Sequence, residues 1–156
     1  MMKDNGNTSV QIPLQILLAD DDLDDRYFFD KVLNALPILT NLTTVDDGEK
    51  LMTYLSENLN KLPDVLFLDL NMPRKKGLEC LFEIKNNNKL KKIPVIIYST
   101  FVDKDMADLL YKNGADFYIP KTTLIDLEEA VKHILHLLTE NKFSHPARER
   151  FVLSPA

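Results

Sequence analysis

Four kinds of side chain that could do chemistry stand at the ends of apolar runs in this sequence. Asp20, Asp21 and Asp22 follow Leu14 to Ala19, and Asp69 follows Val65 to Leu68. Ser99 and Thr100 follow Val95 to Tyr98, and Lys121 comes after Phe117 to Ile119, through Pro120. Clustered carboxylates repel one another, so bringing them together in a folded site is costly without a cation. A hard divalent ion such as Mg²⁺ relieves that repulsion, taking one or two carboxylates, a carbonyl and waters, together with a substrate phosphate. Such an ion neutralises a phosphoryl group in transfer while a carboxylate oxygen attacks in line. A lysine pairs with one phosphoryl oxygen as a compact charge, and a serine hydroxyl donates to another. Together these residues point to phosphoryl transfer onto a carboxylate.

Taken singly, each has an ordinary explanation. An aspartate triplet after a strand is often a turn plus a helix cap, the role expected here of Asp22, Asp24 and Asp25. A lone aspartate after a strand is commonly a satisfied loop residue, and a lone lysine is usually solvated. The functional reading rests on four of them falling at the ends of four strands of one sheet.

Five apolar runs are expected to be those strands: Leu14 to Ala19, Leu42 to Val45, Val65 to Leu68, Val95 to Tyr98 and Phe117 to Ile119. The first, third and fourth are continuous rather than alternating, as in strands covered on both faces. The segments between them have helical spacing. In the last, Leu124, Leu127, Val131, Ile134 or Leu135, and Leu138 share one stripe. Polar caps open the others: Asp24 or Asp25, then Asp46 or Asp47, then Asp103, whose helix stops near Asn113-Gly114. Gly77 to Lys85 supplies one more helix. Five βα repeats imply an α/β fold, a parallel sheet with helices on both faces and right-handed crossovers. In such sheets ligands bind beyond the carboxyl ends of the strands, where strand order reverses.

The 156 residues fit one domain, divided here into a flexible N-terminus over 1–11, a folded domain over 12–139 and a tail over 140–156. The 24 Asp and Glu against 19 Lys and Arg argue against wholesale nucleic-acid binding, so no direct DNA contact is expected. No apolar run reaches the roughly 18 residues that a bilayer span requires, and the polar N-terminus lacks a signal-peptide core. The lone Cys80 cannot form an internal disulfide and reads as a partly buried structural thiol, which suits the cytoplasm. The tail is basic and proline-containing, with Lys142, His145, Arg148 and Arg150. It is expected to be a solvated extension, with docking on a partner or a second copy as the alternative.

These residues resemble the response-regulator receiver family from about Leu14 to Leu138. The resemblance lies in Ile16-Leu17-Leu18-Ala19-Asp20-Asp21-Asp22 and in Leu66-Phe67-Leu68-Asp69-Leu70-Asn71-Met72-Pro73 followed by Gly77. It continues in Ile93-Pro94-Val95-Ile96-Ile97-Tyr98-Ser99-Thr100 and Gly114-Ala115-Asp116-Phe117-Tyr118-Ile119-Pro120-Lys121. It implies a flavodoxin-like (βα)5 doubly wound sheet of strand order 2-1-3-4-5. It further implies that Asp69 is the phosphoryl acceptor and that Asp20 and Asp21 hold Mg²⁺, Asp21 directly and Asp20 through water. Asn71 stands where a backbone carbonyl completes the metal shell. Ser99 matches the switch hydroxyl, Lys121 the lysine that pairs with the phosphoryl group, and Tyr118 the aromatic residue whose rotamer reports the active state.

The sequence departs from the family pattern at a few positions. Thr122 follows Lys121 where the family commonly has proline and a cis bond, and a cis bond before a non-proline residue costs roughly 3 kcal/mol. Thr100 is larger than the usual Ala or Gly, and Lys76 replaces a frequent Asp before Gly77. The Ser-Thr pair and the missing proline resemble single-domain regulators that partner bacteriophytochrome-type sensor kinases. The implied partners are a sensor histidine kinase or histidine phosphotransfer protein and a downstream protein. A homodimer through the fourth helix, fifth strand and fifth helix, or through the tail, is a further option to which no residue points. A phosphorylation-independent adaptor is the main alternative. An aspartyl-phosphate hydrolase of the haloacid-dehalogenase type fits less well, because it wants an acid where Asn71 stands.

Overall fold

Continuous apolar strands need cover on both faces, and the chain supplies it by returning a helix after each strand. The structure is a computed structural model and describes residues 12–153; the N-terminal segment 1–11 lies outside them. The elements are β1 (Leu14–Ala19), α1 (Leu23–Ala35), β2 (Thr40–Val45), α2 (Gly48–Glu57), β3 (Val65–Leu68) and α3 (Gly77–Lys85). They continue with β4 (Val95–Ser99), α4 (Lys104–Lys112), β5 (Phe117–Pro120) and α5 (Leu124–Thr139). All strand pairs are parallel, in the order β2-β1-β3-β4-β5. The expected doubly wound fold and strand order are therefore present, with the order reversing beside β1.

The strands are slightly longer than the apolar runs. Thr40 and Asn41 join β2 because they pair with Leu14 and Gln15 in register, and β2 is an outer strand that can leave polar side chains in water. Pro120 closes β5, also an outer strand, where a missing N–H is tolerated.

Alternate side chains of the sheet feed two cores. Ile16, Leu18, Phe67, Ile96 and Phe117 pack with Phe29, Val32 and Leu33 of α1 and with Leu127, Val131, Ile134 and Leu135 of α5. Leu17, Ala19, Leu66, Leu68 and Ile97 pack with α2, α3 and α4 on the other face. Leu124, expected on the buried stripe of α5, is half exposed instead, since it occupies the first turn at the rim of the sheet. Cys80 is fully buried, and burial pushes its thiol up to about 11, which makes it inert. The Asp22, Asp47, Asp103 and Thr123 side chains cap α1, α2, α4 and α5. Among the described residues no helix is long and apolar enough to cross a membrane.

The tail departs from the expected solvated extension. After α5 the chain turns back along the free edge of β5, through a short 3₁₀ turn at Arg148–Arg150. The Tyr118 N–H donates to the Phe151 carbonyl at 2.9 Å, and the Leu153 N–H donates to the Tyr118 carbonyl at 2.8 Å. Phe151 is fully buried and meets the Tyr111 ring edge-on. Arg148 pairs with Asp108 at 2.8 Å, His145 with Asp116 at 3.1 Å, and the Tyr111 hydroxyl donates to the Pro146 carbonyl. Three of the tail's notable side chains are thus used within the chain itself. The tail covers the unpaired strand edge, a common protection against edge-to-edge association.

Candidate functional site

The parallel register brings the ends of β1, β3, β4 and β5 to one edge of the sheet. Backbone hydrogen bonds hold them level: the Asp69 N–H donates to the Ala19 carbonyl at 2.9 Å and the Lys121 N–H to the Ser99 carbonyl at 2.8 Å. Gly77 lets α3 begin against the end of β3. A Cβ there would stand 2.2 Å from the Asp69 carbonyl oxygen, far inside contact distance.

Asp69 is almost fully buried. Its Oδ1 accepts from the Ser99 hydroxyl at 2.9 Å and from the Asn71 backbone N–H at 3.2 Å, and its Oδ2 lies 3.1 Å from Lys121 Nζ. Lys121 also reaches Asp20 Oδ2 at 2.8 Å and sits 5.0 Å from the centre of the Tyr98 ring. Burial works against the lysine's charge most strongly, but hydrogen bonds to Asp20 and Asp25 together outweigh it and hold its pKa above the ordinary value. Asp20 is the opposite case. Burial pushes its carboxyl up to about 6, against the Lys121 ammonium and the Asp22 N–H, with the Asp69 charge adding to the rise.

Three of the residues expected to hold a metal stand together. Oxygens of Asp20, Asp21 and Asp69 lie within 4.8 Å of one another, with Asp21 exposed and the other two buried. Asp20 Oδ2 is completely buried, with the Lys121 ammonium 2.8 Å away as its one cationic neighbour. Three carboxylates facing a single ammonium leave negative charge uncompensated, a donor set that fits a hard divalent cation. Protons and the cation then compete for Asp20. With its pKa raised to about 6, the carboxylate is mostly ionised at pH 7 and mostly protonated at pH 5. Divalent-cation affinity measured by calorimetry is therefore expected to fall about tenfold from pH 7 to pH 5. An affinity that stays flat over that range would mean that Asp20 takes no part.

Asp25 does not take the capping role that its position suggests: Asp22 caps α1 by accepting the Asp25 N–H at 3.1 Å. Asp25 lies on the first turn, and its carboxylate pairs with Lys121 at 2.7 Å. Spacing alone hides this, because nothing local separates a capping aspartate from one aimed across to β5. Tyr118 does not enter the site. Its ring is buried, and its hydroxyl donates to the Thr100 carbonyl, one residue beyond Ser99. The Lys121–Thr122 peptide is trans.

With this geometry in place, comparison with known proteins is informative. The response regulator receiver domain profile matches residues 16–134. The response regulator Rcp1 of Synechocystis sp. is 33% identical over 138 residues, covering 85% of this chain and 91% of Rcp1. A phosphorylated cyanobacterial phytochrome response regulator, RcpA, superposes with a TM-score of 0.75 at 33% identity, covering 87% of this chain and all of RcpA. The Mn²⁺-bound form of Rcp1 gives 0.73 at 34% identity over 86% of this chain and all of that one. Profile, sequence and fold agree over most of the chain, which belongs to the response regulator receiver domain family and is a two-component response regulator.

Proposed function

We propose that Asp69 accepts a phosphoryl group from the phosphohistidine of a sensor histidine kinase or histidine phosphotransfer protein in the cytoplasm. Asp20, Asp21, Asp69 and the Asn71 carbonyl would hold Mg²⁺. The observation that carries this reading is the division of labour around Asp69: Ser99 on one carboxylate oxygen and Lys121 on the other. An Asp69 oxygen attacks phosphorus in line, the O–P bond forms and the P–N bond to the donor imidazole breaks, with the bonding pair leaving on nitrogen. Mg²⁺, when bound, supplies neutralising charge for the phosphoryl oxygens. Lys121 and Ser99 then turn from the carboxylate to those oxygens. Ser99 already touches Asp69, so its switch is an exchange of partner over a short distance. Tyr118, tied to Thr100 next door, feels that exchange and passes it to the surface of α4, β5 and α5, where a downstream protein would bind.

A protein donor is favoured by the rim of the site. Leu23 and Tyr27 of α1 and Ile125 of α5 are large apolar side chains left 71%, 60% and 74% exposed. Leu23 and Ile125 stand in the first turns of α1 and α5, the helices that follow the strands carrying Asp20 and Lys121 at their ends, and exposed apolar side chains beside a polar site mark a docking surface.

The test is intact mass after incubation with acetyl phosphate. A single phosphoryl adduct that forms with Mg²⁺ and not with EDTA is expected. No adduct, together with no binding of beryllofluoride, would overturn the reading in favour of a phosphorylation-independent adaptor.

Asp25 acts here as a competitor. Its carboxylate competes with the phosphoryl group for the Lys121 ammonium, so Asp25→Asn should lengthen the life of the adduct by roughly threefold to tenfold, equivalent to about 1 kcal/mol, the net worth of one ordinary hydrogen bond. A shorter life, followed by mass against time, would show that Asp25 orients Lys121 instead.

A further inference from the structure

The fold-back of the tail sorts its basic residues into two groups. Arg148 and His145 are committed to Asp108 and Asp116 on the body of the domain. Lys142 and Arg150 are exposed; Lys142 has only a loose 3.6 Å contact with the exposed Glu140, and Arg150 forms no ion pair among the described residues. Both line a cleft of about 580 Å³ between α5 and the returning tail, together with His133, His145 and Ser144. Among the described residues no carboxylate lines it, on a chain whose net charge is −5. Its other walls are apolar: Phe117, Leu137, Pro146, Val152 and Leu153 among them.

We infer that this cleft is a binding site for a small organic phosphate with a flat apolar body. The volume falls in the range of small-molecule sites, roughly 300–1,000 Å³, and the mixture of apolar wall with a few convergent charges is what such sites have. The two fixed cations set the sign of the ligand, and the histidines and serine add donors for phosphate oxygens. The Phe117 ring on the floor, met edge-on by His133 and Phe143, suits a planar group. A long polyanion is disfavoured, because the field beyond the cleft is acidic and the cleft is short. The site is separate from the acceptor: Phe117 opens β5, whereas Asp69 and Lys121 lie at the carboxyl edge of the sheet. It is connected to the switch, however, because Val152 bridges to Tyr118. A ligand held between α5 and the tail would therefore keep the tail on the β5 edge.

The probes are adenosine monophosphate and phenyl phosphate, added to the full chain in EDTA and followed by calorimetry and by amide chemical shifts. Saturable one-to-one binding is expected, with shifts at Phe117, Tyr118 and Leu153. It should weaken about tenfold or more in the double charge reversal Lys142→Glu/Arg150→Glu, whose two side chains are exposed and whose folding is checked by circular dichroism. Asp69→Asn should leave it unchanged, which separates this site from the acceptor whatever becomes of the phosphorylation reading. Failure of both probes to saturate, or undiminished binding by the folded double reversal, would overturn the proposal.

Discussion

Asp69→Asn is expected to abolish the phosphoryl adduct completely while leaving the fold in place. The amide is neutral and a poor nucleophile, so no O–P bond forms, yet it matches the carboxylate in shape. Its oxygen can still accept from the Ser99 hydroxyl and the Asn71 N–H, the two donors that Asp69 Oδ1 holds now. Lys121 keeps Asp20 and Asp25. One anion leaves a crowded carboxylate cluster, and the repulsion from Asp69 that helps raise Asp20 goes with it. Stability by urea unfolding should therefore stay within about 1 kcal/mol of the parent or rise, because the loss of the 3.1 Å pairing with Lys121 is set against relief of like-charge repulsion. Divalent-cation affinity should fall, since one of the three grouped carboxylates is gone. An adduct of unchanged yield on this variant would place the acceptor elsewhere, with Asp20 and Asp21 the nearest other carboxylates. A protein that unfolds would instead make Asp69 a structural residue first.

The contrast between what the sequence discloses and what it hides follows physical lines. Strands buried on both faces leave continuous apolar runs, so β1, β3 and β4 could be placed almost to the residue, and the carboxylates, hydroxyl and lysine at their ends could be brought to one edge. Outer strands obey a weaker rule, which is why Thr40 and Asn41 could be read as loop although they pair with β1. Asp25 escaped because its role depends on a partner 96 residues away. The tail escaped for a related reason. Its fully buried side chain, Phe151, comes after a polar, proline-containing stretch, with no period to betray a packed face. The basic residues there suggested solvent, but two of them are answered by Asp108 and Asp116, which local sequence does not connect to them.

That one side chain makes Phe151 the place where the tail should be most vulnerable. Phe151 is fully buried in the core shared by α2, α3 and α4, and removing a buried phenylalanine side chain costs about 3–5 kcal/mol. The surface contacts of the tail are a different matter. Arg148 and Asp108 are both more than a third exposed, and such pairs contribute about 0–1 kcal/mol. Phe151→Ala should therefore lower stability by several times as much as Arg148→Ala. If the tail leaves the sheet without unfolding the rest, the fall stops at the free energy of tail docking. Hydrogen exchange separates those two routes. If the tail alone leaves, the Tyr118 amide, now bonded to the Phe151 carbonyl, loses protection while amides of β1 and β3 keep theirs. If the core loosens as a whole, all of them fall together. Arg148→Ala matching Phe151→Ala in its effect would overturn this account and make the tail a charged surface strap, whereas the expected order makes it a built part of the sheet, with Tyr118 held between Thr100 and the returning tail.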